Sequence, residues 1–181
     1  MPAICVYCSS SKHVAPRFFD TAEQVGTLIA QRAGTLVFGG NDLGMMKAVA
    51  DATRHAGGKV IGITPQLMVD EGTAYDDADE LVVTETMRQR KQHMEQRADA
   101  FLTLPGGFGT LEELFETLTH RMLGYHDKPI VILNAHDYYT PLIKMFEHVY
   151  AHRFAKNKWR DQYTVADTPQ RAIDHLLACC V

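Results

Sequence analysis

Short apolar runs alternate along this chain with longer segments of helical period, and that alternation restricts the fold more than any other feature. The runs occupy 4–8 (ICVYC), 35–38 (TLVF), 59–63 (KVIGI), 80–83 (ELVV), 100–104 (AFLTL) and 129–133 (PIVIL). Helical spacing follows at 18–33, 43–55, 87–98, 111–123 and 138–152. Runs that are apolar throughout fit strands buried on both faces, which requires parallel strands joined by right-handed helical crossovers. The expectation is one α/β domain over residues 1–181: a Rossmann-like, doubly wound parallel sheet flanked by helices. Residues 65–79, with the acidic cluster Asp76, Asp77, Asp79 and Glu80, read as an irregular loop.

At 181 residues, 46% apolar and 22% charged, the chain can bury a sizeable core in one domain. A formal charge of −4 disfavours a protein that holds nucleic acid through an overall basic surface, so a small ligand is expected. No apolar run approaches the roughly 20 residues of a spanning helix, and the opening MPAICVYCSS carries no basic n-region. The expectation is a cytoplasmic protein with no membrane segment. Cys5 and Cys8 form a CxxC inside an apolar strand, where a redox motif would open a helix, so reduced structural cysteines are expected. The histidines are scattered without a metal-ligating pattern.

In a parallel sheet all strands end at one rim, where ligands bind. Three strand ends there are rich in small residues: Cys8-Ser9-Ser10-Ser11, Gly39-Gly40-Asn41-Asp42-Leu43-Gly44, and Pro105-Gly106-Gly107-Phe108-Gly109-Thr110. The last lies between a strand and a helix. Glycines there free the backbone to reach positive φ and let an anion approach the amides of a helix N-terminus. Neither the dinucleotide fingerprint nor the Walker A pattern is met, which removes the usual support for hydride transfer and ATP hydrolysis and keeps a mononucleotide as a candidate, while each loop taken alone also reads as tight-turn chemistry.

Two readings of Glu113 stand. Thr110-Leu111-Glu112-Glu113 fits a capping box in which Glu113 reaches back to the Thr110 amide. Helical projection also turns Glu113 away from the stripe of Leu111, Leu114, Phe115, Leu118 and Met122, toward solvent or a cleft where a carboxylate acts chemically. The segment Met87-Arg88-Gln89-Arg90-Lys91 sets three cations in the first turns of a helix, on the rim adjoining the fifth strand. Cations oppose the helix dipole there, so either a compensating anion or a solvated charged face is expected. Thr86 and Gln89 fit a second capping box.

Taken together, ICVYCSSS, FGGNDLGMM, MRQRK, ADAFLTLPGGFGTLEELFE and DKPIVILN resemble the Lonely Guy family of cytokinin riboside 5′-monophosphate phosphoribohydrolases, long labelled lysine-decarboxylase-like. The resemblance extends to about His152. It implies a Rossmann-like homodimer that hydrolyses the N-glycosidic bond of an adenine-type nucleoside 5′-monophosphate to free base and ribose 5-phosphate, with no metal or organic cofactor. By position, Arg90 and Glu113 are implied as the catalytic pair, Lys91 and the stretch Gly107, Phe108, Gly109 and Thr110 as nucleotide contacts, Thr119 as a further contact and Glu71 as a looser one. Gly106, Gly39, Gly40 and Ser9, from the three small-residue loops, complete the expected substrate site. Asn41 and Lys47 depart from the family's pattern, which bears on substrate preference. A non-catalytic carrier of a nucleotide or of molybdenum cofactor on the same fold is the alternative.

Overall fold

The computed structural model describes residues 2–180. Seven strands, β1 (Ala3–Tyr7), β2 (Thr35–Phe38), β3 (Lys59–Pro65), β4 (Glu80–Thr84), β5 (Ala100–Thr103), β6 (Ile130–Leu133) and β7 (Thr164–Ala166), form one sheet. Every pairing is parallel, in the order β4-β3-β2-β1-β5-β6-β7. The crossovers are α1 (Pro16–Gln31), α2 (Gly44–His55), the short α3 (Gln66–Asp70), α4 (Met87–Arg97), α5 (Phe108–Leu123) and α6 (Thr140–Ala151), with α7 (Pro169–Cys179) closing the chain.

The period of two in the strands divides the core into two layers. Ile4, Val6, Leu36, Phe38, Leu102 and Val131 pack on Val25 and Ile29 of α1, Val49 of α2 and Ile173 of α7. Cys5, Tyr7, Val37, Ile63, Phe101 and Ile132 pack on Met94 of α4, Leu114 and Leu118 of α5 and Phe146 of α6. Fully burying one such aliphatic or aromatic side chain contributes about 1.5–3 kcal/mol, so both layers are needed to hold the sheet. Cys5 and Cys8 fall in opposite layers, and burial pushes both thiols up, away from the reactive thiolate.

Local signals place several boundaries. Pro16 and Pro169 occupy the first turns of α1 and α7, where a missing N–H costs nothing. Thr86 accepts from the Gln89 amide while the Gln89 side chain accepts from the Thr86 amide, so the expected capping box opens α4. Gly124, at φ 81°, ends α5. Gly26 lets α1 approach α2, since a Cβ there would lie 2.3 Å from the Val49 carbonyl oxygen.

Three expectations need correction. Residues 65–79 are not wholly irregular, because the β3 strand runs through Pro65 and α3 follows. The fourth strand does not adjoin the fifth: three strands separate them, and α4 crosses from the sheet edge back to the centre. Finally α5 begins at Phe108, three residues before Leu111, so its N-cap is Gly107 and no capping box forms at Thr110. Residues beyond 152 add β7 to the sheet and pack α7 against it. Among the described residues no helix is long and apolar enough to cross a membrane.

Candidate active site

The sheet changes winding direction at β1, from which the order runs outward through β2 to β4 on one side and through β5 to β7 on the other. A cleft of about 320 Å³ opens at the C-terminal rim beside that point, where such sheets bind ligands. Each strand on that side contributes: Cys8 to Ser11 after β1, Gly39 and Asn41 after β2, Pro65 at the end of β3 and Met68 after it, Met87 and Arg90 after β4, and Gly107, Gly109, Thr110, Glu112 and Glu113 after β5.

At its centre Arg90 and Glu113 form a buried ion pair, Nη1 to Oε1 at 2.8 Å, with side chains 5% and 6% exposed. The α4 crossover makes this contact by carrying Arg90 over the sheet. Its Nε donates to the Ile63 carbonyl at 3.0 Å and the Gly39 carbonyl at 3.3 Å, and Nη2 donates to Gly39 at 3.2 Å. Guanidinium has five N–H groups, so each terminal nitrogen keeps one beyond these contacts. Gly39 is required by this arrangement: a Cβ would stand 1.7 Å from Arg90 Nη2.

Glu113 belongs to a buried polar stripe on α5, Thr110, Glu113 and Thr117, at spacings of three and four. Thr117 donates to the Glu113 carbonyl at 2.9 Å and accepts from the Tyr7 hydroxyl at 2.9 Å. Burial pushes the Glu113 carboxyl up, and the Arg90 guanidinium offsets part of that rise. Its Oε2 accepts from no group among the described residues. An ion pair of this burial is a weak source of stability, whereas removing one partner costs about 3–5 kcal/mol.

The glycine loop brings a helix N-terminus to the cleft. Gly107 caps α5 without a side-chain hydrogen bond, so the first amides of the helix remain available. None of Gly106, Gly107 and Gly109 has positive φ, which corrects the conformational reason for their presence. Space explains them instead. A Cβ on Gly106 would lie 2.2 Å from Thr110 Oγ1, while a Cβ on Gly107 or Gly109, both of which line the cleft, would stand in open space.

Other expected residues lie outside the cleft. Lys91 pairs with Glu112 and Glu116 on α5, answering the expectation of a compensating anion. Glu71, exposed, ends α3, and Thr119 bonds the Phe115 carbonyl on the outer face of α5. Gly40, at φ 66°, accepts from the Tyr75 amide, and the Phe108 side chain is 94% exposed. Gly106 lines an adjoining cavity of about 220 Å³ with Ser9, Phe18 and Tyr138. Of the two departures from the family's pattern, only Asn41 lines the cleft; Lys47 pairs with Asp42 and Asp51. Sequence reasoning missed Met46, Met68 and Met87, which add apolar lining to the cleft, and two braces: Tyr138 OH donates to the Gly106 carbonyl at 2.6 Å, and Tyr139 OH to the Leu104 carbonyl at 2.7 Å. The adjacent tyrosines after the sixth apolar run were the available signal.

Residues 46–176 match the family model described as "Possible lysine decarboxylase". The chain is 50% identical over 131 residues to the cytokinin riboside 5′-monophosphate phosphoribohydrolase of Mycobacterium tuberculosis, covering 72% of this chain and 70% of that protein. It is 35% identical over 173 residues to a probable enzyme of the same name from Oryza sativa, covering 96% and 71%. In fold it is similar to the molybdenum cofactor binding protein of Rippkaea orientalis, with a TM-score of 0.76 over 99% of this chain and 98% of that one, at 24% identity.

Proposed function

The chain belongs to the Lonely Guy family, that of the cytokinin riboside 5′-monophosphate phosphoribohydrolases, and from that premise we propose that it hydrolyses the N-glycosidic bond of adenine-type nucleoside 5′-monophosphates. The observation that carries this reading is the buried Arg90–Glu113 pair facing a cleft that also contains an uncapped, glycine-lined helix N-terminus. The phosphate sits on the amides of residues 107–110, which fixes the ribose and supplies positioning. Cleavage develops oxocarbenium-like charge on the ribose, and the ionised Glu113 stabilises or traps it. Arg90 holds Glu113 in place and offers its two remaining N–H groups to the ribose or phosphate. Water supplies the hydroxyl that ends on the anomeric carbon and the proton that ends on the departing base. Among the described residues no lysine lines the cleft, which disfavours Schiff-base decarboxylation.

The second reading, a carrier, draws on the fold likeness to the Rippkaea protein. A carrier needs the glycine loops but has no use for a buried Arg–Glu pair. Incubation with AMP and N6-isopentenyl-AMP, with chromatographic detection of free base, separates the two: intact nucleotide despite measurable binding favours the carrier. The protein is further read as a cytoplasmic homodimer that uses the outer face of α5, where Phe108, Phe115 and Leu123 are 94%, 44% and 64% exposed and Thr119 shares the stripe. A monomeric mass by light scattering at micromolar concentration overturns the dimer.

A further inference from the structure

The cleft follows strand order. Its proposed phosphate cradle lies at the end of β5, its ion pair stands over the centre, and Asn41 and Met68 close it at the ends of β2 and β3. With neighbouring strands about 4.8 Å apart, the cradle and Asn41 stand roughly two strand spacings, about 10 Å, from each other. A nucleoside monophosphate with its phosphate on the cradle and its glycosidic bond at Glu113 therefore reaches the β2 end with its base.

Asn41 is unusual at that end. Its Oδ1 is buried without a hydrogen-bond partner, and its Nδ2 makes only a long contact of 3.9 Å to the Met68 sulfur. Its backbone is fixed independently, because the loop after α3 is bound to this segment: Asn41 bridges Ala74, the Asp42 amide donates to the Thr73 carbonyl at 2.8 Å, and the Tyr75 amide donates to Gly40 at 2.9 Å. An orphaned buried carbonyl is costly, so a carboxamide held in this state on a rigid loop points to a partner that the protein itself does not supply. Asn41 lines the cleft, and its terminal amide torsion is soft, so the carboxamide can turn to meet a ligand there.

We propose that Asn41 reads the N6–H and N7 edge of the purine, its Oδ1 accepting from N6–H and its Nδ2 donating to N7, while Met46, Met68 and Met87 pack on the ring. Asparagine makes this bidentate pair with adenine through donor and acceptor geometry alone. Methionine sulfur packs adaptably against aromatic rings. The pairing fixes the substrate class. Adenine has both groups. An N6-monoalkyl adenine keeps one N6–H, and its alkyl group prefers the N1 side, which leaves the N7 edge intact. Hypoxanthine and guanine present an acceptor in place of N6–H, and an N6,N6-dialkyl adenine has no N–H at all. Asn41 therefore admits adenine and N6-monosubstituted adenines alike and rejects 6-oxopurines.

This inference rests on the nucleotide reading of the cleft but not on turnover, so it is tested by binding as well as rate. Calorimetric affinities for AMP, N6-isopentenyl-AMP, N6,N6-dimethyl-AMP, 7-deaza-AMP and IMP are measured on the wild type and on Asn41→Ala, alongside release of base. The wild type is expected to bind the first two about 10- to 100-fold better than the last three, the discrimination that a bidentate pair supplies. Asn41→Ala should lose that difference by weakening AMP while leaving IMP nearly unchanged. The wild-type series stands by itself if the variant folds poorly. An AMP-to-IMP ratio unaffected by the substitution, equal wild-type affinity for AMP and 7-deaza-AMP, or no AMP binding at all overturns the pairing. Selective binding of AMP that is lost in Asn41→Ala, without cleavage by the wild type, upholds it while sinking the hydrolase.

Discussion

Replacing Glu113 by glutamine separates what the buried pair does for the fold from what it does for the reaction. Arg90 keeps its bonds to the Ile63 carbonyl at 3.0 Å and the Gly39 carbonyl at 3.2 and 3.3 Å, and the new amide oxygen can still accept from Nη1. The charge partner is lost. Breaking a buried pair outright costs about 3–5 kcal/mol. Retention of the hydrogen bond, and relief from burying a carboxylate, bring the expected loss to about 1–3 kcal/mol. Against a total stability of about 5–15 kcal/mol the variant folds, with a lower melting temperature. An amide cannot stabilise or trap a cationic ribose, so kcat should fall at least about 10²-fold, or 2.7 kcal/mol of barrier. Affinity for AMP should change far less, because the helix amides at residues 107–110 are untouched. The assay pairs chromatographic release of base with calorimetric binding and thermal unfolding. Folded Glu113→Gln that turns over at the wild-type rate would show that the pair is only a structural contact.

Burial raises the Glu113 carboxyl, and the reaction needs its ionised form, so kcat/KM should climb with pH along an acid limb above the ordinary carboxylate range and then level off; a limb at or below that range contradicts the assignment. Gly39→Ala should displace the guanidinium, since the added Cβ would stand 1.7 Å from Nη2, and so lower both melting temperature and kcat; a stable, fully active variant would mean that Arg90 has another way to reach Glu113. Gly109→Ala places its Cβ in open space within the first turn of α5, where alanine is the better helix former by about 1 kcal/mol. Its melting temperature should hold or rise while KM for AMP increases; unchanged nucleotide binding would remove the cradle from residues 107–110.

The alternation of apolar runs with helical segments was enough to specify a doubly wound parallel sheet, because a strand with no polar face must be covered on both sides. The three small-residue loops were likewise legible as one rim, since parallel strands share a direction. Strand order was not. The sequence placed the helix of Arg90 beside the fifth strand, whereas β4 lies at the far edge and α4 returns across the sheet to bring Arg90 over Gly39. The surroundings of Glu113 were set the same way. A helical projection shows one helix and not what covers it, so Glu113 read as facing either solvent or a cleft until β1 and α4 closed over it. The capping box failed by a local margin, because Gly107 rather than Thr110 begins the helix. Asn41 was visible as a departure, but its orphaned oxygen was not, since hydrogen-bond satisfaction depends on partners contributed by distant strands. Periodicity and turn chemistry act between near neighbours and are written into the chain; burial of a charge and its pairing exist only once distant segments have met.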